Sequence, residues 1–348
     1  MNTFTLDANR AAWPTDFDAL FGRSAPLIIE IGFGGGHFLV DLAGKRPLAN
    51  ILGIEIANPS IVRGKRKVKV AGVQNVRLTQ ADAKYVLWAL CPPKSISELF
   101  INFPDPWRKE RHYHRRIISD NFLALAASRL VDGGRLNIAT DHADYALWIT
   151  ERLERTPYFR SRHASTFVTG DGYRINTKYE RQAIEVGRVC HYYHWERNET
   201  IAAPFDPPKE YPMPHVILNT PLSLTEIGER FTDKIETADA KTAVRATFLD
   251  ILHSTRYDAM LVETFVHDAL IQQHVALAVR RRDDGDSIVS LHEIGFPRPT
   301  LGVKFGIGQL AKWIVGLHPD GVIKSDNLGR GAGEQGSGGV GERGSRGA

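Results

Sequence analysis

The sequence predicts an α/β protein: a mostly parallel, Rossmann-like sheet with helices on both faces, followed by a smaller α+β C-terminal domain. Three observations carry this expectation. Apolar runs that suit buried strands recur at Leu27–Ile31 and at residues 51–56, 76–79, 99–103 and 135–140. Stretches with apolar residues at helical spacing lie between them, at 38–43, 61–70, 120–130 and 145–153. Strand and helix alternating in this way imply βαβ units, whose parallel strands are buried on both sides. Third, the texture changes after Glu196 to a stretch holding Pro204, Pro207, Pro208, Pro212 and Pro214. Proline cannot continue a helix and interrupts a central strand, so a linker is expected there.

Taken in order, residues 1–200 form the main domain, 201–215 the proline-rich linker and 216–328 the small α+β domain. In the latter, segments 259–267, 274–280 and 287–294 alternate as strands do, and Asp283-Asp284-Gly285-Asp286 suits a hairpin turn between the last two. Residues 309–317 read as a helix packed on that sheet. Residues 329–348 are rich in Gly, Ser and Arg without apolar anchors and are expected to be disordered.

With 43% apolar and 24% charged residues among 348, the chain has the composition of a soluble globular protein. No apolar stretch approaches a membrane span, and residues 1–10 lack the basic and apolar parts of a secretory signal, so a cytoplasmic location is expected. Cys91 and Cys190 are too few for a disulfide framework and are expected to be reduced and buried. The net charge of +4 is unevenly spread. Cations are densest at Arg63, Lys65, Arg66, Lys67 and Lys69, and again at Arg108, Lys109, Arg111, Arg115 and Arg116. A polyanion such as RNA fits these tracts; a solvated helix face is the plainer explanation of either run alone.

The first strand runs through Glu30-Ile31-Gly32-Phe33-Gly34-Gly35-Gly36 into a helix starting near His37. Glycines permit backbone angles and close approach that side chains forbid, which suits a nucleotide-like ligand. The dinucleotide pattern would need glycine where His37 stands, so a nicotinamide or flavin cofactor loses its support. An acid recurs after each following strand: Glu55, Asp82 and Asp105. Parallel strands deliver these carboxylates, with Glu30, to one sheet edge. They match the donors of S-adenosylmethionine: Glu30 its charged methionine end, Glu55 the ribose hydroxyls and Asp82 the adenine amine. Each acid taken alone could equally be a helix N-cap.

Asn102-Phe103-Pro104-Asp105-Pro106-Trp107 is the most informative segment. An acid between two prolines has little backbone freedom, so its carboxylate is preorganised. Trp107 offers a stacking surface, and the second cationic tract follows at once. This puts an acid at the edge of a polyanion site.

These residues resemble the bacterial tRNA (guanine-N7)-methyltransferase family. The resemblance rests on Glu30 to Gly34, Gly53-Ile54-Glu55, the Phe103 to Trp107 segment with its basic tail, Ala139-Thr140-Asp141, and Thr177-Lys178-Tyr179-Glu180 followed by Gly187. It implies a class I methyltransferase sheet and S-adenosylmethionine held by Glu30, Gly32, Gly34, Glu55, Asp82 and Asp105. It further implies a catalytic or cofactor-side role for Asp105, and contacts to guanosine or RNA by Lys109, Asp141, Thr177, Lys178, Tyr179 and Glu180. The implied substrate is the guanine at position 46 of the tRNA variable loop.

Guanine N7 has an in-plane lone pair and no proton, so catalysis is expected to be positioning and electrostatics, with Asp105 facing the developing positive charge and Asp141 or Glu180 accepting from the guanine edge. Lys109, Arg115 and Arg116 are expected on phosphate. His112, His114, His191, His194 and Cys190 have no spacing typical of zinc, and no metal is expected. A methyltransferase of the same fold acting on another RNA or a protein, and a non-catalytic tRNA-binding protein, are the alternatives; the Asp105 and Thr177 to Glu180 segments argue against the first, and the intact Glu30, Glu55, Asp82 and Asp105 against the second.

Overall fold

A computed structural model describes residues 4–170, 178–206, 208–268 and 271–329, with Lys178, Tyr179, Arg181 and Gln182 described by backbone alone. The chain divides into two units, Met1–Lys209 and Glu210–Ala348. The division falls inside the proline-rich stretch, whose first part packs on the first unit: Arg129 donates to the Phe205 carbonyl at 2.6 Å and Trp88 to that of Asp206 at 2.7 Å. Residues 330–348, where the tail was expected, lie outside the described residues.

Seven strands form the first sheet: β1 (Leu27–Ile31), β2 (Asn50–Glu55), β3 (Val76–Gln80), β4 (Ile96–Asn102), β5 (Leu130–Thr140), β6 (Phe159–Ser161) and β7 (His191–Arg197). Their spatial order is β3-β2-β1-β4-β5-β7-β6. β1 to β5 are parallel and β7 runs antiparallel between β5 and β6. The helices are α1 (Phe17–Phe21), α2 (His37–Lys45), α3 (Asn58–Ala71), α4 (Ala83–Tyr85), α5 (Asp120–Arg129), α6 (Ala143–Arg155) and α7 (Lys178–Glu185).

Period-2 alternation along β1 explains how both faces are covered. Leu27, Ile29 and Ile31 enter a core with Leu87, Phe122 and Ile149, while Ile28 packs on the other face with Phe38, Leu39 and Ile61. The chain steps outward from β1 to β3, then returns to lay β4 beside β1. Strand order therefore reverses between β1 and β4, and the crevice beyond their carboxyl ends is where such sheets bind ligands.

Both cysteines are buried. Burial pushes the Cys91 thiol up to about 12, so at pH 8 roughly one molecule in 10⁴ carries its thiolate. Cys91 should resist Ellman's reagent at pH 8 in the native protein and react within seconds in denaturant; rapid native labelling would contradict this burial.

The second unit holds β8 (His215–Asn219), α8 (Leu224–Glu229), β9 (Ile235–Asp239), β10 (Val244–His253), β11 (Ala259–Asp268), β12 (Ile271–Arg281), β13 (Ser287–Leu291), α9 (Leu301–Gly316) and β14 (Val322–Asp326). Its antiparallel sheet has the order β14-β8-β13-β12-β11-β10-β9. Val303, Ile307, Leu310 and Ile314 of α9 pack with Val216, Val262, Leu277 and Val289. The expected helix at 309–317 thus begins earlier, at Leu301. Gly302, Gly306 and Gly308 weaken the helical signal there. At Gly302 glycine is a packing requirement, since a Cβ would stand 2.4 Å from Val266 Cγ1.

Candidate active site

β1 delivers Glu30 and the glycine loop to the crevice. Gly32, Gly34 and Gly36 take φ of +71°, +53° and +73°, a left-handed conformation that side chains resist. Gly36 caps α2 and lies against α3, where its Cβ would be 3.2 Å from Gly64 Cα. Phe33, between these glycines, points into the core at 5% exposure. Its ring fills a slot that only glycine leaves open: a Cβ would lie 2.8 Å from the ring at Gly53 and 2.5 Å at Gly64. The Gly53-Ile54-Glu55 motif therefore shapes the loop from behind as well as supplying its acid.

Glu55 ends β2 and grips the loop. Its Oε2 accepts from Gly34 N at 2.9 Å, and its Oε1 from Ile56 N at 2.8 Å and Ala57 N at 3.0 Å. A carboxylate has about four acceptor positions, so capacity for a ribose hydroxyl remains. Asp82, exposed beyond β3, caps α4 through Oδ1, accepting from Lys84 N at 2.8 Å and Tyr85 N at 3.1 Å. Asp82 is thus a helix cap whose Oδ2 is left to other donors, whereas Glu55 clamps the loop without capping α3, whose N-cap is Ala57. Glu30 is 1% exposed, and its Oε1 accepts from Asn102 Nδ2 at 3.2 Å, joining the ends of β1 and β4. Left-handed glycines, a clamped Gly34 amide and acids at the ends of β1, β2 and β3 fit S-adenosylmethionine. Glu55→Gln puts an amide among these N–H donors and should weaken S-adenosylmethionine binding by about tenfold or more, as loss of a charge-assisted hydrogen bond does. Isothermal titration measures this; affinity equal to wild type would remove Glu55 from the cofactor site.

The Asp105 segment leaves β4 under backbone strain. Phe103 and Trp107 have φ of +50° and +44°, in a region that non-glycine residues rarely enter and that costs roughly 1–3 kcal/mol each. Such a bend persists only where neighbours enforce it. Phe103 N donates to the Ala139 carbonyl at 2.8 Å, and its ring packs with Ala183, Cys190 and Tyr192. On the other side Arg116 Nε donates to the Pro106 carbonyl at 2.8 Å. Asp105 itself is exposed at the apex.

Arg116 corrects the expectation that it binds phosphate. It is 2% exposed, and its guanidinium lies 3.6 Å from the ring centre of Tyr113, 4.8 Å from that of Trp148 and 5.0 Å from that of Tyr145. Aromatic faces and one backbone carbonyl hold this cation in place of water. The apolar Ile117-Ile118 that follows was the available signal. Burial also pushes the Tyr145 phenol up to about 12. Arg115 remains exposed and stacks on Trp107 at 3.6 Å. Lys109 is exposed at the start of the 3₁₀ turn Glu110–Arg115, beside exposed Arg108 and Arg111.

β5 and antiparallel β7 bring the remaining candidates to the same edge, pairing Thr140 with His191. Asp141, just past β5, forms an ion pair with Arg188 at 2.7 Å, a partner the sequence reading missed. Glu180 of α7 is 2% exposed and accepts from the Tyr192 hydroxyl at 2.5 Å. Burial and this bond raise the Tyr192 phenol. Glu180 thus faces inward and supports β7, where an acceptor at the guanine edge was expected. Thr177 lies outside the described residues, as do the side chains of Lys178 and Tyr179. His194 Nδ1 lies 3.1 Å from Asn137 Oδ1 and His191 packs on Phe167, so both belong to strand packing.

Strand order, glycine loop and acids define a class I, S-adenosylmethionine-dependent methyltransferase. Residues 24–192 match the family described as "Putative methyltransferase". A "tRNA (guanine-N(7)-)-methyltransferase" of Thermus thermophilus is 32% identical over 303 residues, covering 86% of this chain and 92% of that one. Another of that name, from Halorhodospira halophila, is 41% identical over 177 residues, covering 51% of this chain and 77% of its own. The chain belongs to the tRNA (guanine-N7)-methyltransferase family. Since only 209 residues precede the second unit, the Thermus match covering 86% of the chain must extend well into that unit. The crystal structure of TrmN from Thermus thermophilus aligns with 52% of this chain and 46% of its own at 20% identity and TM-score 0.37.

Proposed function

We propose that this chain transfers the methyl group of S-adenosylmethionine to N7 of guanine in tRNA, at position 46 of the variable loop, in the cytoplasm. The observation that carries this reading is the strained, doubly anchored turn that holds exposed Asp105 beyond β4, the strand next to the one that ends in the glycine loop, with a cationic tract directly after it. Bound S-adenosylmethionine supplies a methyl group activated by a sulfonium. Guanine N7 uses its in-plane lone pair, the N–CH₃ bond forms as the S–CH₃ bond breaks, and positive charge appears on the ring. No proton leaves N7, so no general base is needed. Asp105 faces the developing charge, and Asp141 takes the guanine N1–H or N2–H. Lys109 and Arg115 contact phosphate. Residues 1–200 carry the reaction and 216–328 form an accessory domain.

Labelled S-adenosylmethionine and unmodified tRNA transcripts with and without guanine at position 46 provide the test, followed by borohydride and aniline cleavage at 7-methylguanosine. Label and cleavage only where that guanine is present are expected. Label that persists without it refutes the site, and none on any tRNA refutes the substrate.

A further inference from the structure

α3 carries Arg63, Lys65, Arg66, Lys67 and Lys69 and no acid. It buries Ser60, Ile61, Gly64 and Val68, which turns Arg63, Lys65, Arg66 and Lys69 to the surface. Among the described residues none of the five cations forms an ion pair; Arg63 donates to Ser60 Oγ at 2.9 Å and Lys67 Nζ lies 3.2 Å from His37 Nδ1. Arg63 and Lys67, Lys65 and Lys69, and Arg66 and Lys69 are spaced three or four apart, where like charges repel and destabilise a helix. A solvated face does not require this. On α6 of the same unit, Arg152 and Arg155 alternate with Glu151 and Glu154, and Arg155 pairs with Glu151 at 3.2 Å.

Position adds to composition. α3 leaves the end of β2 just after Glu55 and packs on the glycine loop through Gly64 and Gly36. Only β1 separates β2 from β4, the strand that leads to Asp105 and the cations beyond it. At about 4.8 Å per strand, the ends of β2 and β4, from which the two tracts follow, lie about 10 Å apart with the end of β1 between them. We propose that the outer face of α3 is a second phosphate-binding surface for the tRNA backbone, separate from the Asp105 segment. This rests on the tRNA reading above.

The test compares Lys65→Glu/Arg66→Glu with Lys45→Glu/Lys312→Glu, an equal charge change on exposed residues outside α3 that likewise form no ion pair among the described residues. For the α3 variant, KM for unmodified tRNA should rise about tenfold or more at physiological salt, kcat should stay within about twofold, and the log–log salt slope should become shallower by about 1.5, as loss of two phosphate contacts requires. The control pair should leave KM and slope near wild type. Equal effects of both pairs, or none from the α3 pair, would overturn the proposal. Should wild-type enzyme methylate no tRNA, the parent reading fails, and filter-binding of tRNA to the same variants still decides the role of α3.

Discussion

Replacing Asp105 with alanine is expected to lower the single-turnover rate of methyl transfer by about a hundredfold or more while changing S-adenosylmethionine affinity by less than about threefold, the pattern of an electrostatic contact made in the transition state. Asp105 stands exposed at the apex of its turn, so its removal leaves no cavity and no orphaned partner. Fold stability should therefore be little altered. On the proposed mechanism, what is lost is a negative charge that faces a ring becoming cationic as the methyl moves. Rapid quench with saturating tRNA and cofactor makes the measurement. A rate within about threefold of wild type would take Asp105 out of the chemical step.

The second large effect is expected at Arg116, which is buried behind the turn that carries Asp105. Arg116→Met keeps much of the side-chain volume among Tyr113, Tyr145 and Trp148 but leaves the Pro106 carbonyl without its donor. A hydrogen bond to a partly buried carbonyl contributes about 1 kcal/mol, comparable to the strain at Trp107 that it offsets, so its loss lets the turn relax. Single-turnover methylation should fall by about tenfold or more, with cofactor affinity held within about twofold, because the glycine loop is built from other strands. Arg116→Lys, a point charge without the planar fork, should restore only part of the rate. If the methionine variant unfolds, the lysine variant still decides; a wild-type rate for lysine would show that the hydrogen bond from the fork is not what positions Asp105.

Much of the first unit was legible because its parallel strands are continuous apolar runs and its helices keep a clear apolar stripe. The glycine loop and the acids were legible because each closes one strand. β7 was harder: His191 to Arg197 mixes aromatic and charged residues, since one side packs on the core while Arg197 donates inward to the Ala127 carbonyl at 2.9 Å. β10 was missed because Asp250 sits at a register shift that breaks its alternation. In the site, the sequence reading placed Arg116 on phosphate and assigned no role to Arg129. Both are buried: Arg116 directs its Nε to the Pro106 carbonyl, and Arg129 its Nε and Nη2 to the carbonyls of Leu87 and Trp88. Charge alone does not announce that choice. The Phe33 slot escaped notice for a related reason, as Gly53 and Gly64 meet Phe33 only once the chain has folded.

The carbonyls of Phe205 and Asp206, gripped by Arg129 and Trp88, decide where the chain can be cut. A truncation ending at residue 200 would strip a buried guanidinium of an acceptor and expose the apolar surface beneath Ala202 and Phe205. A stop codon after Lys209 keeps this seam closed, so the first unit should be produced as residues 1–209, and a shorter product that aggregates would report a torn seam and say nothing about the second unit.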